Sequence, residues 1–320
     1  MTEQQQIKRI LTIDGGGIKG VFPASFLASV EDCIEDKVCN YFDLIVGTST
    51  GGIIALALGI DLPASEILDF YEELGSEVFS GNQWLNAFRQ FGFSKYSQKP
   101  LKTALASKFG NRKLGESKRR LVIPSVNLET GEIYIYKTAH HTRLQRDYKQ
   151  LIVDVALATS AAPTFFPTQI NSSGTPLIDG GIFANNPTGL AVVESIGMLN
   201  WDRDSLKILS LGCTTEPINI NKSNKSSLGI KDWATKIVSI FMSAQSSSSL
   251  GTAQLLAGHE NIIRIDPIMP PDKFGLDGIK EINSLKGLGD SEARKALPKL
   301  KELFFNGQKA DDFEPLYKLS

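Results

Sequence analysis

A chain of 320 residues with a formal net charge of −1 is long enough for a sizeable core and carries no basic field to hold a nucleic acid polymer. Hydrophobic residues make up 42% and charged residues 22%, the balance of a folded globular protein rather than a disordered one. Three cysteines, Cys33, Cys39 and Cys213, are too few for a disulfide scaffold or a cysteine-rich zinc site and are expected as buried, reduced thiols.

The polar start, Met1-Thr2-Glu3-Gln4-Gln5-Gln6, has no apolar signal core, and no apolar run approaches the ~18 residues of a spanning helix. The expectation is a cytoplasmic protein whose membrane contact is peripheral. Residues 8–13 read as a buried strand running into Asp14-Gly15-Gly16-Gly17-Ile18-Lys19-Gly20, and residues 22–34 have helical apolar spacing. Residues 41–46 read as a second strand, 52–58 as the opening of a second helix, and 63–74 as a third helix with Pro63 near its start. Strand and helix alternating in this way predict a parallel sheet covered on both faces.

Residues 78–96 hold Phe79, Trp84, Phe88, Phe91, Phe93 and Tyr96. They read either as a mobile cap facing apolar substrate or membrane, or as a helix packed on the sheet through its aromatics. Lys118-Arg119-Arg120 reads as the solvated edge of a strand over 121–127. That strand pairs with 133–136 around the turn Glu129-Thr130-Gly131. Residues 153–160 and 187–198 read as helices, 207–211 as a buried strand, and 175–178 as a short strand feeding Asp179. Residues 221–227 read as a surface loop, followed by helices over 233–256 and 290–305. With no internal repeat and no second fold, residues 1–320 are expected to form one domain, with a catalytic core over about 8–195 and a helical completion over about 221–320.

Three motifs carry the chemistry. Gly47-Thr48-Ser49-Thr50-Gly51 matches G-x-S-x-G between a strand and a helix, the context of a nucleophile elbow, and makes Ser49 the candidate nucleophile. A serine hydroxyl needs a base. The sequence offers two arrangements: a triad of Ser49, Asp179 and His259, or a dyad in which Asp179 is the base. His140 and His141 follow the hairpin and read as surface residues. Asp179-Gly180-Gly181 is also a good plain turn. Gly15, Gly17 and Gly20 fit the dinucleotide-binding pattern G-x-G-x-x-G, but Asp14 beside them is unhelpful to a pyrophosphate. The same glycines can instead present backbone N–H groups to an oxyanion beside Ser49, with Lys19 adding charge or fixing the loop.

Taken together, the order of these motifs resembles the patatin-like phospholipases, which read D-G-G-G-x-[RK]-G, then G-x-S-x-G, then D-G-[GA]. Thr159-Ser160-Ala161-Ala162-Pro163-Thr164-Phe165-Phe166-Pro167 is similar to the family's segment upstream of the aspartate. Lys19 stands where many members carry arginine. The resemblance implies an α/β three-layer sandwich with a mostly parallel central sheet and a serine nucleophile elbow. It implies lipid acyl hydrolysis through an acyl-enzyme, with Ser49 as nucleophile, Asp179 as proton acceptor, and Gly15, Gly16 and Gly17 as the oxyanion loop. Lys19, Gly47, Gly51, Gly180 and Gly181 are then supporting residues, and the chemistry requires no metal or cofactor.

The overall appearance, including Asn261-Ile262-Ile263-Arg264-Ile265-Asp266, is similar to a bacterial subgroup of antiphage effectors. That resemblance implies activation by a cyclic dinucleotide, membrane phospholipid as substrate at the inner membrane surface, and a homo-oligomer on activation. The region after Asn221 is where an activator is sought, and Arg264 or the lysines near Lys222 are candidates to meet phosphate or plain surface charges. Three rivals remain: a constitutive hydrolase of non-phospholipid esters, a dinucleotide-dependent enzyme using the Gly15 to Gly20 loop, and a scaffold protein on a hydrolase fold.

Overall fold

A computed structural model describes residues 6–78, 94–217, 230–271, 273–275 and 281–319. The apolar run of β1 (Lys8–Ile13) is buried almost throughout, as a strand covered on both faces must be. Its parallel neighbours are β2 (Leu44–Gly47) on one edge and β7 (Leu206–Leu211) on the other. β8 (Ile262–Ile265) extends the parallel set beside β7. On the far side of β2 lies β3 (Arg120–Asn127), which forms a hairpin with β4 (Ile133–Lys137). β6 (Pro176–Asp179) and β5 (Gln169–Ile170) complete an eight-stranded, mostly parallel sheet.

The register on β3 decides where the site forms. Val122 pairs with both Val46 of β2 and Lys137 of β4, so these two strands hold opposite edges of β3. Ser125 pairs with both Tyr134 of β4 and Asp179 of β6, so β6 shares its edge with β2. β2 runs up that edge and leaves it near Val122. β6 comes down it and ends on Ser125. The end of β2 and the end of β6 therefore face each other across about three residues of β3, roughly 10 Å at strand spacing.

Two apolar clusters, one on each face of the sheet, make this a three-layer sandwich. The larger holds α1 (Val21–Ile34), α2 (Thr50–Gly59), α3 (Ala64–Val78), α4 (Gln98–Phe109), α5 (Ile152–Thr159) and α9 (Ile282–Leu303). After the short α6 (Gly181–Ala184), the smaller holds α7 (Thr188–Gly197) and the end of α8 (Ile230–Ala257), with Ala191, Val192, Ala253 and Ala257 against Ile10 and Ile208. α2 is buried along its whole length, which its uniformly apolar or small residues allow. α1 and α9 cross so closely that a Cβ on Gly289 would stand 2.6 Å from the Phe22 carbonyl oxygen.

The predicted strand over 41–46 starts later than expected. A 3-10 turn occupies Val38–Tyr41, and Asp43 meets Arg9 twice, its amide donating to the Arg9 carbonyl at 2.8 Å and its carboxylate accepting from the Arg9 amide at 2.9 Å. α4, β5 and β8 carry no strong sequence signal and were not expected. The Lys118-Arg119-Arg120 edge is less solvated than predicted, because Arg119 is buried against the chain's last turns, donating to the Asp311 carbonyl at 3.1 Å and to Asn40 Oδ1 at 3.3 Å. All three cysteines are free thiols; Cys39 and Cys213 are buried, but Cys33 is exposed near the end of α1, against the expectation. Most of the aromatic segment over 78–96, the loop over 221–227 and Lys222 lie outside the described residues.

Candidate active site

β2, β1, β7 and β8 end level with one another, since Gly47, Leu211 and Ile265 stand in register with Ile13 or its partner. Four turns therefore emerge side by side at the carboxyl ends of parallel strands, where open α/β sheets hold their ligands. They carry the glycine loop, Ser49, Cys213 and Asp266.

Ser49 sits in the sharp turn from β2 into α2 with φ 54° and ψ −120°. That is left-handed backbone space that costs a serine roughly 1–3 kcal/mol and persists only when the surroundings enforce it. The two flanking glycines permit it: a Cβ on Gly47 would lie 2.1 Å from the Gly51 carbonyl oxygen, and one on Gly51 would lie 2.2 Å from the Ile13 carbonyl oxygen. Thr159, at the end of α5, pins the turn. Its hydroxyl accepts from the Ser49 amide at 3.0 Å and donates to the Pro124 carbonyl at 2.6 Å. Ser49 also stands at the N-terminus of α2, where the helix dipole favours negative charge.

The Ser49 hydroxyl donates to Asp179 Oδ2 at 2.7 Å, and the other carboxylate oxygen, Oδ1, accepts from the Gly181 amide at 2.7 Å. Asp179 is almost fully buried. Loss of water pushes its carboxyl up to about 6, against the opposing pull of its bonds to Ser49 and Gly181. Gly180 packs on β3, where a Cβ would stand 2.2 Å from the Pro124 carbonyl oxygen.

The glycine loop lies beside Ser49, with the Cβ position of Gly15 3.3 Å from Ser49 Cβ. Gly15 differs from its sequence reading: its amide already donates to the Asn185 carbonyl at 3.0 Å and is not free for an oxyanion. Gly16 and Gly17 donate to no described residue, Gly17 takes φ +59°, and both line the cleft. Lys19 fixes the loop, its ammonium donating to the Thr214 carbonyl at 3.2 Å. Asp14 is buried against Arg264, and both line the cleft.

These groups form the floor of a cleft of about 970 Å³. Its walls are apolar, with Ile18, Ile53, Leu74, Phe165, Phe166 and Met242 among them. Tyr96, the one described aromatic of the expected cap, packs on Phe166 with ring centroids 6.0 Å apart.

A profile of the patatin-like phospholipase family matches residues 11–192. The chain belongs to the patatin-like phospholipases. A "cGAMP-activated phospholipase" of Pseudomonas aeruginosa is 33% identical over 298 residues, covering 90% of this chain and 88% of that protein. A protein of the same name from Vibrio cholerae is 34% identical over 293 residues, covering 82% of each. "Patatin-like protein 2" of Oryza sativa is 28% identical over 292 residues, covering 76% of this chain and 71% of that protein. Among solved structures, VipD from Legionella pneumophila aligns with a TM-score of 0.48 at 14% identity, over 92% of this chain and 67% of that one. Membership in the family replaces the dinucleotide-enzyme and scaffold readings with lipid hydrolysis.

The histidines stand apart from the cleft of this patatin-like phospholipase. His259 is exposed in a 3-10 turn (His259–Asn261) that precedes β8, at the end of the sheet opposite Ser49. His140, read as a surface residue, is instead buried, with Nε2 2.9 Å from Glu194 Oε1 and Nδ1 2.9 Å from the Thr138 hydroxyl. Among the described residues, Asp179 is the basic group within reach of Ser49. Arg264 lines the cleft, and its Nη atoms are engaged by Asp14, Asp266 and Ser210. Sequence reasoning also missed Thr159 and Asn185 as supports of the site, because their roles rest on contacts more than a hundred residues away in the chain.

Proposed function

We propose that this patatin-like phospholipase hydrolyses membrane phospholipid by acyl transfer through Ser49 and Asp179, and does so in response to a cyclic dinucleotide. The observation that carries the chemistry is the 2.7 Å hydrogen bond from the Ser49 hydroxyl to a buried carboxylate, beside glycine amides that have no other partner among the described residues. Ser49 Oγ attacks the ester carbonyl carbon as its proton passes to Asp179 Oδ2. The carbonyl oxygen becomes an oxyanion received by the amides of Gly16 and Gly17. The tetrahedral centre collapses, the bond to the glycerol oxygen breaks, and that oxygen leaves with the proton from Asp179. Water then attacks the acyl-serine, giving its proton to Asp179, and collapse returns the proton to Ser49 and releases the fatty acid. The buried position of Asp179 raises its basicity toward the working pH, which suits a carboxylate to this task.

The cleft opens among exposed apolar side chains: Ile182, Val238 and Ile268 border it at 39%, 59% and 75% exposure, with Phe241 one turn along α8 from Val238. This rim supports docking on a lipid surface, so that an acyl chain passes from bilayer to cleft without crossing water. Activation by a cyclic dinucleotide is supported by the relatives named cGAMP-activated phospholipase. The test is fatty-acid release from phospholipid vesicles with and without cGAMP, for the native chain and Ser49→Ala. Release that needs cGAMP and vanishes in the variant is the expected result. Equal release without cGAMP would make the enzyme constitutive, and release by Ser49→Ala would remove the serine mechanism.

A further inference from the structure

The glycine loop presents a mechanical problem. Three consecutive glycines have the greatest backbone freedom of any residues and no side chains to hold them, yet an oxyanion site works only if its donors are fixed before the charge develops. Gly16 and Gly17 make no amide bond to a described residue. Gly15 is tied by its amide to the Asn185 carbonyl at 3.0 Å and the Gly16 carbonyl accepts from the Lys19 amide at 3.2 Å, so the Gly16 and Gly17 amides are aimed by what holds the residues on either side of them. At its exit Lys19 is tied to Thr214, and at its entrance stands Asp14.

Arg264 grips Asp14 with a two-pronged fork: Nη1 donates to Oδ1 at 2.8 Å and Nη2 to Oδ2 at 2.6 Å. The same nitrogens reach Ser210 Oγ at 2.9 Å and Asp266 Oδ2 at 2.7 Å. Asp266 Oδ2 in turn accepts from the Thr215 hydroxyl at 2.6 Å. A fork on a carboxylate fixes direction as well as distance, which a lysine ammonium cannot do. Arg264 lies on β8, outside the residues that the family profile matches, and 250 positions from Asp14. Its surroundings are polar by construction. Thr12, Ser210 and Arg264 stand in register across β1, β7 and β8, and the Thr188 hydroxyl lies 2.9 Å from Thr12 and 2.8 Å from Ser210.

We propose that Arg264 is a positioning residue for acyl transfer: its fork on Asp14 sets the direction of the glycine loop and so aims the amides of Gly16 and Gly17 at the developing oxyanion. The inference rests on the reading of Ser49 and the glycine loop given above. It differs from a phosphate-binding role, because both Nη atoms already have two partners inside the protein. It differs from a purely structural role because the effect must pass through Asp14.

The test compares Asp14→Asn, Arg264→Lys and the double variant with the native chain, in the presence of cGAMP, on a soluble phosphate-free nitrophenyl ester and on phospholipid vesicles. Asp14→Asn is the decisive single variant: it leaves Arg264 paired with Asp266, one charge against one, and keeps the core electrostatically balanced. Displacing a catalytic group by about an ångström costs on the order of 100-fold in rate. The prediction is a kcat loss of that order on both substrates, KM within about twofold, and a matching fall in the rate at which a fluorophosphonate labels Ser49. The double variant should lose no more than the worse single one, because both act through one link. The melting temperature of Asp14→Asn should stay at or above the native value. Unchanged kcat in Asp14→Asn, a loss confined to the phospholipid, additive losses in the double variant, or a loss that follows melting temperature would each overturn the proposal. Full activity of Ser49→Ala in the same assay would overturn the underlying reading instead, so the two failures are distinguishable.

Discussion

At the scale of single residues, the site joins two opposed demands on Asp179. Burial makes its carboxylate a better base and at the same time a costlier charge to keep. With its carboxyl raised from 3.8 to about 6, the folded protein holds a proton between about pH 4 and 6 that the unfolded chain has lost. Stability therefore falls as pH rises through that window and stays lower above it. In the proposed mechanism activity runs the other way, since only the ionised form can accept the Ser49 proton. We predict that kcat/KM on a soluble ester falls as pH drops through about 6. Asp14, also raised to about 6 by burial, loses its grip on Arg264 in the same window and steepens the fall. Asp179→Asn removes the buried charge and should stabilise the fold at pH 8 by about 1–3 kcal/mol, seen as a higher melting temperature. A lower melting temperature for Asp179→Asn at pH 8 would contradict this account. Ser49 and Asp179 were legible in the sequence because each sits in a glycine-flanked motif that few other tasks require. Arg264 was visible as a residue but not in its role. A lone arginine among isoleucines in a buried strand needs an internal partner, and that clue existed in Ile262-Ile263-Arg264-Ile265; its partner at Asp14 did not announce itself across 250 positions.

At the scale of elements, the motif glycines separate into those that meet backbone and those that meet side chains. A Cβ on Gly51 would press on the Ile13 carbonyl oxygen at 2.2 Å, and nothing can yield there without parting β1 from the elbow. A Cβ on Gly15 would meet the side-chain oxygen of Asn185 at 2.5 Å, which can rotate away. Gly51→Ala should therefore fail to accumulate as folded protein, while Gly15→Ala should fold with a modest loss of stability; thermal melts and soluble yield distinguish them. Equal stability of the two variants would show that the elbow is looser than described. Strands and helices with strong periodicity, such as β1, α1 and α7, stand where the sequence puts them to within a residue or two. β5 and β8 were hidden because two and four residues give no readable alternation, and β8 exists as a strand because β7 offers it an edge.

At the scale of the whole molecule, the three-layer sandwich explains why one end of the sheet is chemically equipped and the other is not. Parallel strands deliver their turns to a common end, and the antiparallel β6 brings Asp179 to the same place from the opposite direction. No sequence motif encodes that meeting; it follows from β3 pairing with two strands on one edge. The apolar rim belongs to this scale as well. Among the described residues no helix is long and apolar enough to cross a membrane. In the proposed function, the exposed apolar side chains around the cleft mouth reach lipid without one. Replacing Phe241 and Ile268 with aspartate should weaken sedimentation with phospholipid vesicles and slow vesicle hydrolysis on the order of 100-fold, because two apolar side chains each worth about 1.5–3 kcal/mol of burial sum to at least about 3 kcal/mol. The same variant should hydrolyse a soluble ester at the native rate. An equal loss on both substrates would assign these residues to the fold rather than to the surface.

The claim on which the rest depends is that Asp179 takes the proton of Ser49. It is tested most directly by measuring fatty-acid release from phospholipid vesicles, with cGAMP present, by the native chain and by Asp179→Asn, an isosteric change that keeps the turn and removes the base. Removing the charged partner of a serine hydrolase's proton relay costs on the order of 10⁴-fold in kcat, and we predict a loss of at least about 10³-fold in a variant that melts no lower than the native protein. Activity within tenfold of native would mean that another group accepts the proton and that the 2.7 Å contact between Ser49 and Asp179 is structural.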